Sequence, residues 1–126
     1  MSYRIRTIEV FDRQAKRLAK RYTSFRDDFA DLLKHLNNNP LAGSDLGGGI
    51  RKVRMAIASK GKGKSGGARV ITYAADIIVQ DNNGELVLLS IYDKSEQSTI
   101  SDKEIVRLRS LADKDRKQNK QPHIEP

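Results

Sequence analysis

The chain opens on alternation. Tyr3, Ile5, Thr7 and Glu9 fall on one face and Arg4, Arg6, Ile8 and Val10 on the other, the period-two signature of a short strand over Tyr3 to Val10. The period then lengthens. Phe11, Ala15, Leu18, Ala19 and Tyr22 recur at helical spacing with Arg13, Lys16, Arg17, Lys20 and Arg21 opposite them, which predicts an amphipathic helix with a basic back. Ser24 and Asp27 have the spacing of a capping box. They introduce a second helix that buries Phe25, Phe29, Leu32, Leu33 and Leu36 and stops at Asn37-Asn38-Asn39-Pro40. So short a link between two helices implies an antiparallel hairpin.

Leu41 to Gly49 is small or glycine and reads as a loop. From Ile50 to Ala58 alternation returns, with Ile50, Lys52, Arg54, Ala56 and Ala58 on one side and Arg51, Val53, Met55 and Ile57 on the other. Residues 59–67, SKGKGKSGG, are too glycine-rich and charged to pack and are expected to form a mobile hairpin tip. Arg69 to Gln80 is strand-like, Asn83-Gly84 signals a two-residue hairpin, and Leu86 to Tyr92 returns as an apolar central strand, closing an antiparallel meander. Ser101 and Glu104 repeat the capping-box spacing before a helix with Ile105, Leu108, Leu111 and Ala112 on its apolar side. The order β-α-α-β-β-β-α predicts an α+β domain over residues 1–112, its helices gathered against one face of a mainly antiparallel sheet. Residues 113–126 are charged and are expected to be a disordered tail.

Composition narrows the picture. A chain of 126 residues fits one domain. It has no run of about 20 apolar residues for a membrane span, and its N-terminus lacks the apolar segment of a secretory signal. A soluble cytoplasmic protein with no membrane partner is expected. The absence of cysteine excludes disulfides and thiolate metal sites. The net charge of +8 is local: no acid stands between Asp45 and Asp76, where Arg51, Lys52, Arg54, Lys60, Lys62, Lys64 and Arg69 supply seven cations. Such a field draws polyanions, with nucleic acid foremost; a solvated lysine-rich loop is the alternative.

Several chemistries drop out. Gly61 to Ser65 suggests a phosphate loop, but its first glycine would fall at Ala58, and no helix pattern follows. The only imidazoles, His35 and His123, stand far apart, so neither a metal nor a cofactor is expected, and no Ser/His/Asp triad assembles. What remains is cation chemistry. Metal-free RNA cleavage needs a base for the 2'-OH, donors for the phosphorane oxygens and an acid for the departing 5'-oxygen. Arginine suits the second role by gripping phosphate bidentately. A lysine, ordinarily near pKa ~10.4, can fall toward neutrality among like charges and serve as base. Pairing of the strand holding Lys52 and Arg54 with the one beginning at Arg69 would bring all three to one cationic surface, which could equally bind phosphate without cleaving it. Tyr73 and Tyr92 are the aromatics of the central strands. Tyr92 could stack on a base or pack in the core.

Three segments, Gly48–Arg54 (GGIRKVR), Gly61–Ile71 (GKGKSGGARVI) and Ile91–Gln97 (IYDKSEQ), together resemble the HigB branch of the RelE superfamily of type II toxin–antitoxin toxins, over roughly Tyr3 to Leu111. The resemblance implies a ribosome-dependent endoribonuclease that cuts mRNA in the A site without metal and leaves a 2',3'-cyclic phosphate. Its partners would be the ribosome, that mRNA and a cognate antitoxin, expected to be a small helix-turn-helix protein. Carried over by position, Arg69 is the first choice for stabilising the phosphate, with Lys52, Arg54 and Lys94 as the other catalytic candidates. Arg51, Lys60, Lys62, Lys64, Tyr92 and Gln97 would contact RNA. Where some relatives place a tyrosine or arginine after the last strand, this chain has Ser95 to Thr99, which leaves the general acid open between Glu96 and Gln97. Register divides the basic stretch: Lys52, Arg54 and Arg69 stand on strands suited to chemistry, and Lys60, Lys62 and Lys64 on a tip suited to docking. A non-catalytic RNA- or ribosome-binding module, or an inactive relative held by its antitoxin, would use the same face.

Overall fold

Alternation ends sooner than the apolar pattern suggests. In the computed structural model, which describes residues 4–61, 63, 66–74 and 84–118, strand β1 covers only Arg4–Thr7 and helix α1 already runs over Glu9–Arg21. Thr7 donates to Asp12 (2.6 Å), and Glu9 and Asp12 place negative charge at the helix's positive end. Ile8, read as the sixth residue of a strand from Tyr3 to Val10, is the buried hinge between the two. Helix α2 covers Phe25–Asn38 and completes the expected hairpin. Its capping box does not form. Ser24 Oγ donates to Asp28 (2.7 Å) and accepts from the Ser59 N–H (2.9 Å), so the hydroxyl ties in a distant turn instead of capping the helix.

The expected loop at 41–49 contains a fifth strand, β2 (Ser44–Gly47), antiparallel to β3 (Ile50–Met55). All four β2 residues are exposed, so the strand rests on backbone pairing and has no apolar pattern to announce it. Gly43 permits the approach: a Cβ there would lie 2.5 Å from the Lys52 carbonyl oxygen. Strand β3 stops at Met55, short of Ala58, and a single 3-10 turn occupies Ala58–Lys60. Strands β4 (Ala68–Tyr73) and β5 (Glu85–Asp93) complete the antiparallel meander β3-β4-β5. The expected extension of β4 to Gln80 and the Asn83-Gly84 turn fall largely on residues 75–83, outside the described residues.

Strand order is β1-β5-β4-β3-β2, with β1 parallel to β5. Where β1 ends, Gln14 of α1 takes over its pairing: its Oε1 accepts from the Ile91 N–H (3.0 Å) and lies 3.1 Å from Ser90 Oγ. Every residue of β4, and Leu86 to Asp93 of β5, is buried. Burial on both sides means that both faces are covered. The helix hairpin reaches the face of Ala68 and Asp93 through Tyr22. Helix α3 (Asp102–Gln118) lies on the other, where Tyr73 donates to Asp113 (3.3 Å) and Arg6 to the Ala112 carbonyl (3.0 Å). The helices are therefore not gathered on one face, because two buried sheet faces require cover on both. Helix α3 does receive its cap, the Glu104 N–H donating to Ser101 Oγ (3.1 Å). It continues past Asp113, into the segment read as tail; residues 119–126 lie outside the described residues. None of the helices among the described residues is long and apolar enough to cross a membrane.

Candidate nucleic-acid interface

Register assembles a row across three strands. Arg54 of β3 stands opposite Arg69 of β4, which stands opposite Tyr92 of β5. Paired residues share a face, so all three point to the α3 side of the sheet, with Lys52 one step along in the row Lys52–Ile71–Ser90. The expected convergence of Lys52, Arg54 and Arg69 is present. A uniformly open cationic surface is not: Ile50, Ile71, Tyr73 and Val87 on the same side are core, Lys52 is half-buried, and Arg69 is only 6 % exposed. Arg54 is the exposed member, on a stretch of β3 beyond the reach of β2. It also lines a groove with Asp28, Asp31 and His35 of α2, which brings the lone described imidazole to the edge of the row.

Two arginines directly opposed in a ladder repel, and such a pair is ordinarily destabilising. Arg69 Nη1 donates to the Ala68 carbonyl (3.2 Å). Beside it, the Tyr92 hydroxyl is buried and has no hydrogen-bond partner. Burial pushes the Tyr92 phenol above its ordinary pKa, against the pull of the Arg69 charge, so the hydroxyl keeps its proton at neutral pH. The ring is 5 % exposed, which rules out the expected stacking on a base in this conformation; the buried hydroxyl is what Tyr92 contributes.

The other candidates disperse. Arg51 lies on the opposite face, paired with Asp45 of β2 and Thr72 of β4. Lys62 and Lys64 lie outside the described residues. Lys94 is exposed just after β5, its N–H donating to the Gly67 carbonyl (3.0 Å). Gln97 is exposed and donates from its side chain to the Thr99 carbonyl (2.9 Å), and Glu96, the other fallback acid, is engaged by Arg21.

Lys60 is corrected most. Read as a lysine on a mobile tip, it is instead part of a buried ion pair with Asp93, Nζ to Oδ1 2.7 Å, with side chains 9 % and 0 % exposed. Its ammonium also lies 5.5 Å from the centre of the Tyr22 ring, a cation–π distance. The Asp93 carboxylate accepts further bonds from the Ser95 N–H (2.9 Å), the Ser95 hydroxyl (2.7 Å) and the Tyr22 hydroxyl. Burial alone would raise the Asp93 pKa. The bonds from Lys60, Tyr22 and Ser95 outweigh it and hold the carboxyl well below the usual carboxylate range. The bond to Asp93 in turn raises the Tyr22 phenol. The sequence assigned Asp93 no role, although it stands within the segment Ile91–Gln97 and closes a largely apolar strand.

Residues 8–123 match the family model of the RelE toxin of RelE / RelB toxin–antitoxin systems. The match takes in the whole row, the Asp93 cluster and both helices of the hairpin.

Proposed function

From the premise that this chain belongs to the RelE toxin family, and so is the toxin of a toxin–antitoxin system with a cognate antitoxin as partner, we propose that it is a ribosome-dependent mRNA endoribonuclease of the HigB type acting in the cytoplasm. The observation that carries this reading is the row itself. Opposed arginines beside an unpaired, protonated hydroxyl are a poor arrangement for stability and a good one for a phosphate. Rules of packing are broken most often where function requires it.

In this reading the ribose 2'-oxygen attacks the adjacent phosphorus, the P–O5' bond breaks, and a 2',3'-cyclic phosphate and a 5'-hydroxyl result. Arg69 and Arg54 offset the charge that grows on the phosphorane oxygens. Lys52 and Lys94 are the candidates to take the 2'-OH proton. The Tyr92 hydroxyl, one strand from Arg69, is the proton donor the row offers to the 5'-oxygen. Arg51, Lys62, Lys64 and Gln97 would grip RNA or ribosome outside this row. A small helix-turn-helix protein would be the antitoxin.

The burial of Arg69 favours a second reading, a ribosome-binding module without cleavage, since a guanidinium 6 % exposed meets substrate only if its cover moves. One experiment separates the two. Purified chain is incubated with programmed ribosomes, and the mRNA ends are mapped. Cyclic-phosphate ends that Arg69→Ala reduces by about 100-fold or more support the nuclease. Salt-sensitive ribosome binding with intact mRNA supports the module.

A further inference from the structure

The two roots of the basic 61–67 loop meet at one place. On the ascending side, Lys60 is held by Asp93, and the preceding turn is held by the helix hairpin: the Ala58 N–H donates to Asp28 (3.1 Å) and the Ser59 N–H to Ser24 (2.9 Å). On the descending side, the Gly67 carbonyl accepts from the Lys94 N–H (3.0 Å). Gly67 is itself pressed against β3, where a Cβ would lie 2.1 Å from the Met55 carbonyl oxygen. Between the roots sits the Asp93 carboxylate. It closes β5, turns the chain by accepting from Ser95, and joins Lys60 and Tyr22 to that turn.

We propose that Asp93 is a positioning residue for RNA cleavage: its buried carboxylate fixes the loop's two roots and the 94–97 turn against the helix hairpin, and thereby sets where Lys94 stands relative to the Arg54–Arg69–Tyr92 row. The inference rests on the nuclease reading. Asp93 does not itself meet the RNA. It immediately follows Tyr92, and alternation sends the two side chains to opposite faces, Tyr92 toward α3 and Asp93 toward Tyr22. A displacement of either is therefore transmitted through one peptide unit. Lys60 is consumed by the clamp: its charge is neutralised at 2.7 Å, so it holds the loop and contributes little to attracting RNA.

The test is Asp93→Asn in the full chain, which keeps the shape and removes the charge. Single-turnover cleavage of ribosome-bound mRNA should fall about ten- to a hundredfold in rate, the scale of a misplaced group. Ribosome affinity should hold or tighten, and the slope of log affinity against log salt should steepen by about one, because Lys60 is released to contact phosphate. A merely structural role would weaken rate and affinity together. Hydrogen exchange at the Lys94 N–H, which Asp93 does not touch, should quicken if the clamp fixes the turn. Tyr22→Phe removes one donor while leaving the Lys60 pair, and should give a smaller rate loss even if Asp93→Asn folds poorly. Folded Asp93→Asn that cleaves within about twofold of the parent, or unchanged exchange at Lys94, would overturn the positioning role. A parent chain that binds ribosomes but cuts no mRNA overturns the nuclease reading and this role with it, an outcome distinct from the loss of positioning alone.

Discussion

Tyr92 and Asp93 are neighbours in sequence and opposites in environment. On the α3 side of β5, the Tyr92 hydroxyl is buried without a partner, beside two arginines that face each other across the ladder. On the hairpin side, the Asp93 carboxylate is equally buried, and it accepts from Lys60, Tyr22 and Ser95. Both sites desolvate polar groups, which is costly unless they are paired. The Asp93 carboxylate is fully paired, whereas the Tyr92 hydroxyl is not. The contrast separates a buried hydroxyl left without a partner from a buried carboxylate that has four.

The largest effect expected from breaking this contrast lies on the satisfied side. Asp93→Ala strands an ammonium only 9 % exposed and a tyrosine hydroxyl, and should cost about 3–5 kcal/mol in denaturant unfolding. The Arg69→Ala substitution, by contrast, leaves the Lys60–Asp93 pair intact and, on the nuclease reading, should act on cleavage, lowering it about 100-fold or more. If Asp93→Ala unfolds at the same denaturant concentration as the parent, the ion pair is not what ties the 58–60 turn to β5.

Acid should expose the same asymmetry more gently. The folded-state pKa of Asp93 lies well below its unfolded value of about 3.9, so its contribution to stability is complete above that value and is lost as pH falls through the folded one. Melting temperatures of the parent and Asp93→Asn should therefore run parallel from about pH 5 to 8 and converge below about pH 4. A gap that stays constant to about pH 2 would show that the charge of Asp93 is not the source of the difference.

These two sites were unequally legible. The arginine row followed in part from local rules: alternation put Lys52 and Arg54 on one face and antiparallel pairing set the strand of Arg69 beside them, but which residue each meets is fixed only by the register across the long connection 56–67. The helix hairpin and the capped start of α3 were readable for the same reason, since periods and caps are written within a dozen residues. Strand β2 was not, because Ser44–Gly47 buries no side chain and so leaves no pattern. The Lys60–Asp93 pair was invisible because its partners lie 33 residues apart and meet only once β3, β4 and β5 are stacked. The burial of Arg69 and Tyr92 is likewise set by tertiary packing and written in no local pattern.

Tyr92→Phe is the smallest change and the sharpest probe of the unsatisfied side. A buried hydroxyl with a partner loses stability when removed, because the partner is left unpaired. One without a partner carries only its own desolvation cost, so its removal should leave stability unchanged or raise it by up to about 1 kcal/mol. The ring, packed at 5 % exposure, stays in place in the phenylalanine variant, so packing is not a competing cause. If the hydroxyl donates the proton to the departing 5'-oxygen, cleavage should slow by roughly 100-fold while the melting temperature holds or rises. A variant that is more stable and equally active would assign the orphaned hydroxyl to no step of the reaction and leave Arg54 and Arg69 as the whole of the row's chemistry. A variant that is less stable by more than about 1 kcal/mol would mean that the hydroxyl is paired in solution, and the two faces of β5 would then be alike.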